Sequence, residues 1–260
     1  MAINVERRKE LYDLMPEGLI TTRKWLMENN LSRHAIDNLV KSDQLQLISK
    51  GIYVRNSSKI TWQSLVYSLQ TILKTDFVLG GLSALEIQGL SHYLSFSENK
   101  TIHLYGNDKI PNWLIEIDIN IKFIKHTTKG FLENENNESQ NKLFTIEREW
   151  DNEGRKLIIA TPERAYLEVL SDVPSKITFE HADQLIQGLT TLSPRSLQKL
   201  LEKCQNIKVK RLFLWFAERH NYAWSNKLDH DKITLGSGNR MIVKGGKLDK
   251  KYKITVPEWL

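Results

Sequence analysis

The segment between residues 33 and 41 carries polar side chains that have the chemistry needed to recognise DNA. On a helical wheel of about 100° per residue, the apolar residues of this run share one arc. The other arc carries Arg33, His34, Asp37, Asn38 and Lys41. Side chains of these types hydrogen-bond to base edges in the major groove or to backbone phosphates. The same pattern is typical of solvated amphipathic helices, so the run alone leaves both interpretations open.

Two further helices are predicted ahead of this run, and they would position it. Asn4 can cap a helix that continues to about Met15, where a proline and a glycine end it. Thr21 is predicted to cap a second helix that runs through Glu28, and Ser32 to cap the third. The short separation of the second and third helices is typical of a helix-turn-helix.

A β-hairpin is predicted directly after the third helix. Residues 45–48 and 52–55 have the composition of strands, and Gly51 provides the turn between them. Lys50 lies at the tip of this hairpin, and Arg55 lies beyond the tip. Three helices and a hairpin predict a winged helix-turn-helix, whose wing can contact the DNA backbone or the minor groove. Winged helices also bind proteins, so an adaptor that binds a protein partner remains the alternative.

Charge is distributed unevenly along the chain. Residues 1–60 carry ten Lys and Arg against seven acids, residues 61–189 carry twelve against eighteen, and residues 190–260 carry fifteen against six. The three net charges are therefore +3, −6 and +9. Basic ends favour contact with phosphates, because binding releases condensed counterions. Charge by itself fits simple solubility equally well.

The composition indicates a protein of the cytoplasm. The chain has 260 residues, of which 40% are hydrophobic and 26% charged, and this length suits two or three globular domains. No run of about 18 apolar residues occurs, and the first ten residues are charged, unlike a signal segment. Cys204 is the single cysteine, so neither a disulfide nor a cysteine-based zinc site is expected.

Residues 61–260 predict a larger domain that mixes helices and strands and can be divided near 175–190. Helices are predicted over 64–74, 162–170, 179–189, 194–203 and 210–220, and strands over 101–105, 115–124, 144–150, 157–160, 233–235, 241–243 and 252–256. Residues 133–142 have almost no apolar side chain and predict a mobile loop. The fold class is therefore mixed α/β (α+β), with a winged helix-turn-helix at 1–60 and a basic, β-rich C-terminal end.

The sequence predicts no catalytic site, and hence no enzyme. Asp108 with Asn120 and Lys122 is similar to the metal-binding pattern of restriction-endonuclease-like folds, but an asparagine stands where a second carboxylate is needed. No base or oxyanion donor is recognisable around Ser83. The glycine-rich residues 236–240 lack the strand and helix of a phosphate loop. A degenerate metal-dependent nuclease is thus the least favoured alternative.

Several segments resemble those of the AbiEi antitoxins of type IV toxin-antitoxin systems. They are Gly51-Ile52-Tyr53 and residues 81–90, 160–165, 208–214, 235–238 and 251–257, which together extend over most of the chain. The resemblance implies a winged-helix repressor with a larger antitoxin domain, encoded beside a nucleotidyltransferase-like toxin. It also implies autorepression through inverted repeats in the promoter, toxin neutralisation without a stable complex, and a role in abortive phage infection.

The resemblance and the polar face together give a set of expected DNA contacts in the winged unit. The set is Arg23, Lys24, Ser32, Arg33, His34, Asn38, Lys41, Lys50, Tyr53 and Arg55. A further basic patch is a candidate for contact with DNA or with another acidic partner, and it consists of Lys208, Lys210, Arg211, Lys244, Lys247, Lys250 and Lys251. The expected partners are double-stranded promoter DNA and the toxin, with no metal, cofactor or membrane.

Overall fold

The computed structural model describes residues 11–91, 100–117, 119–132 and 144–260. The predicted cap Asn4 and the predicted loop at 133–142 lie outside the described residues. None of the helices within these ranges is long and apolar enough to cross a membrane.

The N-terminal unit has the helix and strand order of a winged helix-turn-helix, as predicted. Its elements are α1 (residues 11–14), β1 (Thr21–Thr22), α2 (Arg23–Glu28), α3 (Arg33–Lys41), β2 (Leu45–Ser49) and β3 (Ile52–Arg55). The strands form an antiparallel sheet in the order β1-β3-β2. One helix start is corrected by a residue: Thr22, not Thr21, caps α2 by accepting from the Trp25 amide at 3.1 Å. Thr21 instead pairs with Tyr53 in the sheet.

A five-stranded sheet forms the centre of the molecule. Its strands are β4 (Val78–Leu79), β5 (Lys100–Tyr105), β6 (Ile121–His126), β7 (Thr145–Glu149) and β8 (Lys156–Ala160), in the order β6-β5-β4-β8-β7. The pairs β5/β6 and β4/β8 are parallel, and the pairs β4/β5 and β7/β8 are antiparallel. The predicted hairpin at 144–160 is therefore confirmed.

Three helical segments accompany this sheet. They are α4 (Trp62–Tyr67), which continues as a π-helical turn (Ser68–Ile72), α5 (Gly81–Ile87) and α6 (Asn112–Glu116). The prediction of one strand over 115–124 is wrong in its first part. Residues Asn112–Glu116 form α6 there, because Pro111 at the N-cap has the φ of −64° that its ring imposes, and its carbonyl accepts from the Leu114 amide at 3.0 Å. Ile115 is consequently 77% exposed instead of facing a core.

Four helices pack together in the C-terminal part. They are α7 (Pro162–Ser171), α8 (Phe179–Gln187), α9 (Pro194–Lys203) and α10 (Ile207–His220), all close to the predicted ranges. A short antiparallel pair follows, β9 (Lys247–Asp249) with β10 (Ile254–Val256). The strands predicted at 233–235 and 241–243 do not form; those residues run in turns and irregular chain.

The winged unit shares a hydrophobic core with α4. Ile20 and Val54 from the winged unit are buried in one cluster with Leu65 and Leu69 of the α4 region. The Ile20 amide also donates to the Ser68 hydroxyl at 2.9 Å. Buried apolar contacts of this kind hold two elements together, so the winged unit is fixed to α4 by packing as well as by the chain.

Candidate nucleic-acid interface

Helix α3 presents a polar face to solvent and an apolar face to the core. The Ser32 hydroxyl caps the helix by accepting from the Ala35 amide at 3.2 Å. Ile36 and Leu39 are buried. The exposed residues are those that the helical wheel placed on the polar arc, namely Arg33, His34, Asp37, Asn38 and Lys41. Their donors and acceptors are therefore accessible to a groove, whereas Ser32 already uses its hydroxyl within the helix.

Arg23 is held in place by contacts on both sides. Its Nε donates to the Tyr53 hydroxyl at 2.8 Å, and its Nη2 lies 3.3 Å from Asp37 Oδ1. The hydrogen bond to Tyr53 raises the pKa of Arg23 above its usual value, and Asp37 adds to this effect. Tyr53 is buried, which corrects its prediction as a DNA contact. The tyrosine instead orients Arg23 beside α3, and Asp37 was missed as its partner because fourteen residues separate the two.

Lys50 and Arg55 lie at opposite ends of the wing. Lys50 is exposed in the turn, where Gly51 has a φ of +75°, a value that suits glycine. Arg55 pairs with Leu45 at the base of the hairpin. Its Nη1 donates to the Met15 carbonyl at 3.3 Å, and its guanidinium lies 4.1 Å from the centre of the Tyr12 ring. Arg55 therefore fastens the sheet to α1, and its contact with DNA stays a prediction.

Lys24, the other cation of α2, is less constrained by neighbouring side chains than Arg23. Lys24 is exposed, and its Nζ lies 3.7 Å from Glu28 one turn later. An exposed pair at this spacing contributes little to stability, so Lys24 remains available to a phosphate.

Three residues of the predicted basic patch are buried or half-buried, so they do not belong to an exposed patch. Lys210 and Arg211 are 3% and 1% exposed. Lys208 is half-buried, and its Nζ donates to the carbonyls of Ser171 and Val173 at 2.7 Å each. It therefore neutralises the C-terminal end of α7, where carbonyls lack helical partners. Burial lowers the pKa of both lysines.

Arg211 organises the segment that carries the other lysines. Its guanidinium donates to the carbonyls of Leu235, Gly236, Gly238 and Lys253 at 2.8 to 3.2 Å. The exposed members of the patch, Lys244, Lys247, Lys250 and Lys251, all lie in the segment that these bonds attach to α10. Lys251 is engaged as well, because its Nζ contacts both Glu218 oxygens at 2.7 Å. This contact and the Tyr252 hydroxyl lower the pKa of Glu218.

The alternatives of metal or nucleophile chemistry gain no support from the geometry. Asp108 accepts from the Asp76 amide at 2.8 Å and so ties the chain after β5 to the residues before β4. No cluster of three or more His, Cys, Asp or Glu side chains suited to a metal occurs among the described residues. The Ser83 hydroxyl accepts from the His103 amide at 2.9 Å, which ties α5 to β5.

Comparison with known proteins identifies the family. A family model described as the N-terminal domain of the AbiEi antitoxin, a transcriptional regulator, matches residues 4–96. A second, described as the transcriptional regulator and AbiEi antitoxin of a type IV toxin-antitoxin system, matches residues 99–257. No curated protein matches the chain at a significant level.

A solved structure is similar in fold. The crystal structure of the RV2827C protein from Mycobacterium tuberculosis has a TM-score of 0.51 and 16% sequence identity, and the match covers 95% of this chain and 89% of that one. At this identity the likeness concerns the fold alone. Because the two family models together extend from residue 4 to residue 257, the chain belongs to the AbiEi family of transcriptional regulators, the antitoxins of type IV toxin-antitoxin systems.

Proposed function

We propose that the protein represses its own operon by binding inverted repeats in the promoter. The observation that carries this proposal is the exposed polar face of α3, which stands beside a wing with Lys50 at its tip. A helix of this kind enters the major groove, and the wing reaches the adjoining backbone. Inverted repeats follow from the way two copies of such a unit occupy two half-sites.

The side chains of the interface divide into two roles. Arg33, His34 and Asn38 read base edges, because their donors and acceptors match the patterns of the major groove. Lys24, Lys41 and Lys50 bind phosphates, which fixes the register of the protein but carries no sequence information. Arg23 contributes a guanidinium that Tyr53 and Asp37 have already oriented, so less conformational freedom is lost on binding.

Gel shifts and footprints on the upstream DNA, across a salt series, test this division. Lys50→Ala should weaken binding to every sequence alike and reduce the salt slope by about 0.9. Asn38→Ala should instead change the preference among bases, at a cost of about 1–3 kcal/mol for the preferred site. Arg195→Ala removes an exposed arginine of α9 and serves as the matched control. If the protein does not bind this DNA at low salt, the repressor hypothesis is wrong, and an adaptor that binds a protein partner becomes the favoured interpretation.

The antitoxin activity is proposed to reside in the residues after the winged unit. These residues would counter a nucleotidyltransferase-like toxin without forming a stable complex, in the course of abortive phage infection. Co-expression with the toxin gene tests the point: Lys50→Ala should weaken operator binding and still prevent growth arrest. Affinity purification from the same cells should recover no toxin. Recovery of a stoichiometric complex would contradict the absence of direct binding.

A further inference from the structure

Asp37 is the only acidic residue of α3, and it lies on the face proposed to enter the major groove. Its side chain is 53% exposed. On the helix surface Arg33 lies one turn before it and Lys41 one turn after it. A carboxylate at this position repels phosphates and so weakens binding to DNA of any sequence. A role in recognising the base sequence would account for an acid among these cations.

A series of contacts that begins in the interior of the winged unit holds the Asp37 carboxylate. Tyr53 is buried, and its hydroxyl accepts from Arg23 Nε at 2.8 Å and also from Nη2. Arg23 Nη2 in turn donates to Asp37 Oδ1 at 3.3 Å. Because the core fixes Tyr53 and Tyr53 fixes Arg23, the carboxylate has a defined position on α3 before DNA binds. A group that is oriented in advance loses less conformational freedom on binding.

The contact with Arg23 leaves much of the hydrogen-bonding capacity of this carboxylate unused. A carboxylate has two oxygens and about four lone-pair sites. Asp37 Oδ2 accepts no hydrogen bond from the residues that the structure describes, so in the free protein water solvates it. When α3 enters the major groove, Oδ2 loses part of this water and needs a donor in its place, because an unpaired acceptor is costly.

The major groove offers few donors to a carboxylate. Guanine presents two acceptors there, and thymine presents an acceptor and a methyl group. Adenine presents an amine beside the acceptor N7, which repels a carboxylate, whereas cytosine itself presents the N4 amine alone. We propose that Asp37 accepts a hydrogen bond from cytosine N4 in each half-site and so sets the preference for one base. This assignment rests on the proposed repressor function.

A base-reading Asp37 and an Asp37 that only positions Arg23 predict opposite changes in affinity. If Asp37 reads cytosine, Asp37→Ala removes a charge that repels phosphates. Unrelated DNA then binds more tightly, while the preference for cytosine disappears. If Asp37 only positions Arg23, Asp37→Ala loosens the guanidinium. Binding to every sequence then becomes weaker, and the preference among bases stays the same.

Gel shifts of the full chain on its upstream DNA, with each base pair of a half-site replaced in turn, test the assignment. Replacing the cytosine that Asp37 reads should weaken binding of the wild type about tenfold or more. The same replacement should change the Kd of Asp37→Ala by less than about twofold, and unrelated DNA should bind this variant about two- to threefold more tightly. Asp37→Asn should prefer adenine at that position, because an amide matches the N6 and N7 of adenine. Asp231→Ala, at an exposed aspartate of the C-terminal part, is the matched control and should behave as the wild type.

Two results would overturn the assignment and leave the repressor function intact. One is an Asp37→Ala protein, shown by circular dichroism to be folded, that keeps the preference of the wild type at every position. The other is a wild type that binds its upstream DNA but tolerates replacement of every cytosine in the half-site. Failure of the wild type to bind this DNA at low salt refutes the proposed function, and the assignment of Asp37 with it.

Discussion

Replacing Arg211 by methionine should destabilise the C-terminal segment and release it from α10. The side chain is 1% exposed and donates four hydrogen bonds to backbone carbonyls. Each hydrogen bond contributes about 1 kcal/mol net, so the upper limit for the loss in the free energy of unfolding is about 4 kcal/mol. Water can reach part of these carbonyls after the change, because Gly236, Gly238 and Lys253 are exposed residues. The expected loss in the free energy of unfolding is therefore about 2–3 kcal/mol.

Urea unfolding and limited proteolysis measure the two consequences of this change. Arg211→Met should lower the unfolding midpoint, and cleavage should appear first after residue 235, where the anchored segment begins. Arg211→Lys keeps the charge but cannot reach four carbonyls with one ammonium group, so it should recover less than half of the loss. Arg195→Met, at an exposed arginine of α9, is the control. A loss below about 0.5 kcal/mol, with unchanged proteolysis, would refute the anchoring role.

Three other changes test the remaining structural arguments. Gln70→Leu should lower the free energy of unfolding in urea by about 2–4 kcal/mol, because the buried amide bonds both the N–H and the carbonyl of Ile158 and also the carbonyl of Phe77, the residue before β4. Thr71→Val, at an exposed neighbour, should cost less than half of that. A fragment of residues 1–60 should fail to give a cooperative melt, since part of its core packs on α4, whereas a fragment that includes α4 should gain helical circular dichroism. Burial, and after it the neighbouring His126, lowers the pKa of His103 in the folded protein to about 4. Between about pH 4 and about pH 6.5 the unfolded protein therefore binds more protons than the folded protein does. Stability should therefore be complete above about pH 6.5 and fall by up to about 3 kcal/mol towards pH 4, and His103→Gln should flatten this dependence.

Each of these three arguments has a result that contradicts it. A Gln70→Leu protein as stable as its control would show that the amide does not join β8 to the residue before β4. A cooperative melt of residues 1–60 would show that the winged unit folds without α4. An identical pH dependence in His103→Gln would assign the acid sensitivity to other groups, of which His126 is the first candidate because burial lowers its pKa too.

Local signals in the sequence predicted most of the secondary structure correctly. Ser32 marked the start of α3, Thr161 with Pro162 marked that of α7, and Gly51 marked the turn of the wing. These signals act within a few residues, because caps and turns satisfy the orphan amides of the same short segment. The predicted strand over 115–124 was wrong only in its first part, because Ile115 belongs to α6 and β6 begins at Ile121.

The family, the winged helix-turn-helix and the polar face of α3 could all be inferred from the amino-acid sequence, since each depends on residue types at short spacings. Which charged side chains reach solvent became clear from the three-dimensional fold. Lys210 and Arg211 look like surface cations in the sequence but are buried, and Arg55 is turned towards α1. Burial is set by which elements pack together, and long-range packing leaves no periodic signal within one segment.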